Sequence, residues 1–149
     1  MRARELAAEV PTVMAGDPAT HAVRVMVDEK LPGLVVIDAD RRPLFVLPGS
    51  QVLRMLVSHY GGDTALARTI DEEHADQFWR ELGVRAVTEC VPPEKVKLAE
   101  VPADATLLEV AILMSRLRSP LVAVVDRDRR LVGCITLNAL LDALALPDS

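Results

Sequence analysis

The chain has 149 residues, half of them apolar, with 17 basic against 22 acidic side chains for a net charge of -5. That is enough apolar chain for one good core or two small ones that lean on each other, and the acidic balance argues against a nucleic-acid partner, because phosphate-backbone affinity comes from Lys and Arg. One Trp, one Tyr and two Phe also leave few platforms on which single-stranded bases could stack.

In chain order, Met1 to Leu6 lacks the apolar stretch of a signal peptide, and no run approaches the roughly 18 apolar residues of a membrane helix. A cytoplasmic protein without membrane insertion is expected. Thr20 to Lys30 reads as a helix, Leu34 to Ile37 and Pro43 to Leu47 as strands, and Ser50 to Ser58 as a second helix. Gly61-Gly62-Asp63-Thr64 then gives a break and a cap. Leu66, Ile70, Phe78, Trp79 and Leu82 follow on one side of an amphipathic helix that Gly83 ends. Past it, Asp104 or Thr106 caps a helix whose Leu107, Val110, Ala111 and Met114 share a face, before Ser119-Pro120 breaks it. Leu121 to Val125 and Leu131 to Thr136 form a hairpin around Asp126-Arg127-Asp128-Arg129-Arg130, and Asn138 to Leu146 has helical spacing.

The chain repeats itself. Val36 to Leu56 lies over Val124 to Leu144 at a constant offset of 88, without a gap. Val36, Asp38, Asp40, Arg41, Arg42, Leu53 and Leu56 meet identical residues in the second copy. Self-similarity at a fixed offset means one supersecondary unit used twice, each copy too small to close its own core. This divides the chain into a first repeat (1–60), an inserted amphipathic helix (61–84) and a second repeat (85–149). Each copy offers two short strands between helices.

Enzymatic chemistry finds no support: there is no nucleophile elbow, paired His and carboxylate, P-loop or metal-ligand cluster. Cys90 and Cys134 stand alone, and His21, His59 and His74 are scattered without ligand spacing. The two cysteines read as ordinary thiols. Arg129 and Arg130 follow Asp126 and Asp128 closely enough for local charge pairing at the surface.

The run Asp104 to Met114, followed by Ser119 to Asp126 and Leu131 to Thr136, resembles a nearly complete CBS repeat, named for cystathionine β-synthase; Leu34 to Asp38 and Arg41 to Leu44 resemble it more loosely. The resemblance implies an α/β fold of the α+β type in which two small sheets pack together in a pseudo-twofold module. It also implies a homodimer, a regulated enzyme or transporter as partner, and clefts that bind AMP, ADP, ATP or S-adenosylmethionine as a regulatory ligand. The family pattern is Gly, two apolar residues, Thr or Ser, and an Asp three positions later that grips the ribose. Here Gly133 and Thr136 match, and Ala139 stands where the Asp belongs; the first repeat has Pro48 and Gln51 in place of the Thr and Asp. The candidate binding set is therefore Gly133, Thr136, Ala139, Ser119, Pro120, Leu121 and Arg118. Thr136 either contacts a phosphate at the helix N-terminus or only caps that helix. A structural dimerisation unit with vestigial clefts is the alternative.

Overall fold

Gly33 to Ile37 and Leu121 to Val125 are apolar throughout, the pattern of a strand covered on both faces rather than alternating between core and water. A computed structural model, which describes residues 1–51, 80, 83–90 and 97–145, bears this out: every residue of both segments is buried. The described elements are α1 (Ala3–Leu6), β1 (Thr12–Met14), α2 (Ala19–Asp28), β2 (Gly33–Ile37), β3 (Pro43–Pro48), α3 (Val87–Cys90), β4 (Glu100–Pro102), α4 (Leu107–Leu117), β5 (Leu121–Val125), β6 (Leu131–Thr136) and α5 (Leu137–Ala145). The amphipathic helix expected over 61–84 and the helix expected over 50–58 fall largely outside the described residues. None of the described helices is long and apolar enough to cross a membrane.

The strands form two three-stranded sheets, β1-β2-β3 and β4-β5-β6. Two strands per copy were expected, so β1 and β4 correct that reading. Each is three residues long and pairs in parallel with the hairpin's first strand, with Val13 opposite Val36 and Val101 opposite Val124. The offset of 88 extends to fine detail. Both hairpins shift register at the same place, between Val36 and Ile37 and between Val124 and Val125. In each turn the leading aspartate's Oδ1 accepts two backbone N–H bonds, Asp38 from Asp40 and Arg42, Asp126 from Asp128 and Arg130. Arg41 and Arg129 then take the left-handed conformation, both at φ 62°, as in a type I turn closed by an αL residue. Helices α2 and α4 end alike. Leu31 N–H reaches Met26 C=O and Ser119 N–H reaches Met114 C=O, with Lys30 (φ 53°) and Arg118 (φ 51°) left-handed between. These are Schellman-type caps with a cation at the negative end of the helix dipole.

The side chains of β2 part by alternation. Leu34 and Val36, with Phe45 and Leu47 of β3, join the core under α2, whereas Val35, Ile37 and Val46 join the core built on the second sheet. The sheets therefore share one apolar interface, and the hairpin turns meet at its end. Leu131 N–H donates to Arg41 C=O and Arg42 Nε to Asp128 C=O, at 2.8 and 3.0 Å.

The segment leading into each repeat crosses to the other. Ala3 and Arg4 donate to the Ala105 and Ala103 carbonyls, and Ala8 exchanges two 2.9 Å backbone bonds with Cys134 on β6. Reciprocally, Val87 donates to Asp17 C=O, Ala19 to Arg85 C=O, and Val46 to Lys97 C=O. Ala3 is fully buried in the second core and Val87 lies in the first. The first crossing starts with a reciprocal cap in which Arg2 N–H donates to the Glu5 carboxylate, and that bond holds the carboxyl below its usual range.

Candidate functional site

The cleft is built by the peptide after α2 and by the strand-to-helix junction of the second hairpin. Because Pro32 and Pro120 each follow a left-handed cap, both loops leave their helix abruptly, and their carbonyls are tied by matching 2.9 Å bonds, Gly49 N–H to Pro32 C=O and Leu137 N–H to Pro120 C=O. A cavity of about 380 Å³ opens between them. Lys30, Leu31 and Pro32 line one side; Pro120, Thr136, Leu137 and Asn138 line the other. A second depression of about 410 Å³, on the far side of Pro120 and Leu137, is lined by Met114, Ser115, Arg118 and Ser119. Two exposed cations, Lys30 and Arg118, thus flank the N-terminus of α5, where the positive end of the helix dipole attracts an anion.

Four of the seven residues singled out from sequence lie here: Thr136, Ser119, Pro120 and Arg118. The Thr136 hydroxyl accepts the Ala139 N–H at 3.2 Å, so it caps α5 from inside the cleft. Ser119 Oγ donates to Leu121 C=O at 2.6 Å and fixes the loop. Ala139 sits one helical step in, as that N–H donor. Leu121 and Gly133 line neither depression. Leu121 is core, packed so close to Gly33 that a Cβ there would lie 3.1 Å from its Cδ2. Gly133 lies under the N-terminal crossing, where a Cβ would come within 2.9 Å of Ala8 C=O and 3.2 Å of Ala7 Cβ. Close backbone approach is reason enough for a glycine there. Next to it, burial pushes the Cys134 thiol up to about 12, as befits an inert core group. Of the cap candidates for α4, Thr106 does the work, accepting Glu109 N–H at 3.2 Å.

Sequence reasoning did not reach Lys30, Leu31, Pro32, Leu137 or Asn138. Lys30 is the counterpart of Arg118 at the offset of 88, which is the signal that could have found it. The expected pairing of Arg129 with its neighbouring aspartates is also corrected. The Asp126 carboxylate is engaged with backbone N–H groups, and Arg129 instead makes a two-pronged ion pair with Glu100, Nε to Oε1 at 2.9 Å and Nη2 to Oε2 at 3.1 Å. Glu100 in turn raises the Arg129 pKa, hydrogen bond first and charge second.

The CBS domain family model matches residues 94–146. A CBS domain-containing protein from Kribbella flavida DSM 17836 is 41% identical, with a TM-score of 0.83 over 98% of this chain and 99% of its own. CBSX2, solved in complex with AMP, has a TM-score of 0.69 at 17% identity, covering 96% of this chain and 95% of that one. A CBS domain pair in complex with 5′-methylthioadenosine and S-adenosyl-L-methionine reaches 0.71 at 14% identity, over 97% of this chain and all of its own. No protein of curated function matches the chain.

Proposed function

The chain belongs to the CBS-domain family, and from that premise we propose that it is a regulatory module and not an enzyme. It takes an adenosine-type ligand (AMP, ADP, ATP or S-adenosylmethionine) between its repeats and acts as a cytoplasmic homodimer on a partner enzyme or transporter. Its working units are the first repeat (1–60), the insertion (61–84) and the second repeat (85–149). One observation carries the reading: Lys30 from one repeat and Thr136, at the α5 N-terminus of the other, line a single cavity of about 380 Å³. That volume falls in the range of about 300–1,000 Å³ usual for small-ligand pockets. A cation and a helix N-terminus select an anionic group, and Leu31, Pro32, Pro120 and Leu137 offer apolar surface to a flat base. The acidic net charge of the chain does not oppose this, because charges beyond about 10 Å are screened at physiological salt.

Ala139 tests the proposal. A carboxylate on ribose hydroxyls is worth roughly 1.5–3 kcal/mol, so Ala139→Asp should tighten AMP or S-adenosylmethionine binding about 10- to 100-fold by calorimetry. The new Asp, in the first turn of α5, also favours the helix dipole by about 0.3–1 kcal/mol, so affinity and not melting temperature is the readout. A folded variant that binds none of AMP, ADP, ATP or S-adenosylmethionine at millimolar concentration would replace this reading with that of a structural dimerisation module, for which the capped Thr136 and the hydroxyl-free Pro48 already suffice.

A further inference from the structure

We infer that the chain holds a second binding site, for a free α-amino acid with a small apolar side chain, at the end of β5 away from the cleft. A cavity of about 280 Å³ opens there, beyond the carboxyl ends of the parallel strands β4 and β5, the end at which the crevices of α/β sheets take ligands. Pro102 and Val125 give it apolar surface. Arg4, Asp104, Asp126 and Arg127 surround it, two charges of each sign, and none of the four is ion-paired among the described residues.

These charges are not part of what folds the repeat. At the offset of 88, Asp104 and Arg127 correspond to Gly16 and Ala39, and only Asp126 has a charged counterpart, Asp38. Arg4 N–H donates to Ala103 C=O as Thr88 N–H does to Ala15 C=O, so the crossing segments bring a guanidinium to the second repeat and a hydroxyl to the first. The same architecture thus stands without three of the four charges.

Both signs around one small volume select a zwitterion. A lone carboxylate or phosphate would satisfy the guanidinium groups and be repelled by the aspartates, and a lone ammonium would do the reverse. An α-amino acid carries both charges one carbon apart: its carboxylate meets the planar donors of Arg4 and Arg127, and its ammonium meets Asp104 and Asp126. The Asp126 carboxylate is already aimed, because its Oδ1 is fixed by the N–H groups of Asp128 and Arg130. The adjacent Arg2 is engaged elsewhere, its N–H on Glu5 and its guanidinium on Asp104 C=O.

Calorimetry and amide NMR of the full chain with L-valine test this. The four side chains are exposed and each contact is weakened by water, so binding should appear at millimolar concentration. It should shift the amides of Arg4, Asp104 and Arg127 and leave Leu137 and Asn138, at the cleft, unmoved. Isovalerate and isobutylamine, which carry one charge each, should bind about tenfold more weakly. Asp126→Asn keeps an oxygen for the two turn bonds, and Arg4→Gln keeps the backbone bond to Ala103; each should weaken L-valine about 3- to 10-fold with an unchanged circular dichroism spectrum. Arg4→Gln decides the matter even if Asp126→Asn does not fold. No shifts at about 100 mM L-valine, isovalerate binding as tightly as L-valine, or full affinity in Arg4→Gln would overturn the proposal. Because no adenosine ligand enters any arm, none of these results bears on the cleft.

Discussion

Asp38 and Asp126 hold their turns with the same pair of backbone bonds, and Lys30 and Arg118 end their helices at nearly the same dihedral angle, yet the strands these devices frame end differently, β3 at Pro48 and β6 at Thr136. Other matched positions have also diverged. Where the first repeat has Thr12, Phe45 and Val46, the second has Glu100, Gly133 and Cys134. What stayed common is what each repeat needs in order to fold against its twin: the turn, the cap, the bulge and a central strand buried on both faces. What changed is polar equipment and local close packing. The second repeat alone gains the Glu100–Arg129 ion pair and a hydroxyl at the cleft. The pseudo-symmetric scaffold thus differs between its copies at the strand ends that lead toward the clefts.

The hardest test of shared scaffold is to damage the two repeats equivalently. Leu47 and Ile135 correspond at the offset of 88 and are both fully buried. Leu47→Ala and Ile135→Ala should each cost about 2–5 kcal/mol. Because the leading segments cross over and Val35, Ile37 and Val46 share a core with the second sheet, either change should lower a single denaturation transition of the whole module. Two separate steps, with only one displaced by each substitution, would show that the repeats fold independently.

What the sequence reveals follows the range of the interaction. β5 and β6 have the boundaries read from it, since a Val-rich apolar run starts after a proline and the polar turn residues Asp126 to Arg130 separate it from the next. β1 and β4 escape notice because three residues are too few to show alternation, and their parallel pairing leaves no turn in the chain. The exchange of leading segments is legible only in space: Ala8 meets Cys134 through backbone atoms, for which no residue type is diagnostic. The candidate site divides in the same way. Thr136, Ser119, Pro120 and Arg118 came from the resemblance to the CBS repeat, whose pattern runs along one continuous stretch of the second copy, whereas Lys30, Leu31 and Pro32 reach the cleft from the other repeat.

Gly133 sharpens the comparison at a position where the repeats differ most in volume, since its counterpart is Phe45. Gly133→Ala places a methyl 2.9 Å from Ala8 C=O, and relieving that overlap should cost about 1–3 kcal/mol. The N-terminal crossing should loosen first, seen as faster amide exchange at Ala8 and Cys134 while the amides of β2 stay protected. Unchanged exchange and stability, with weakened AMP binding, would instead assign Gly133 to the ligand.

The smallest effect separates the two roles of Thr136. Thr136→Val gives the second repeat what the first already has at Pro48, a strand end without a hydroxyl, at nearly constant volume. The lost bond from Ala139 N–H to the hydroxyl should lower stability by about 1 kcal/mol, the usual worth of an N-cap. The hydroxyl also has a proton to donate, which the cap does not use. If that proton meets a phosphate or ribose oxygen in the cleft, the variant should lose AMP affinity as well, by about 3- to 10-fold for one hydrogen bond, and the stabilisation conferred by AMP should shrink accordingly. A fall in melting temperature that is the same with and without AMP would leave Thr136 as a helix cap alone, and any anion binding in the proposed cleft would then rest on Lys30 and the dipole of α5.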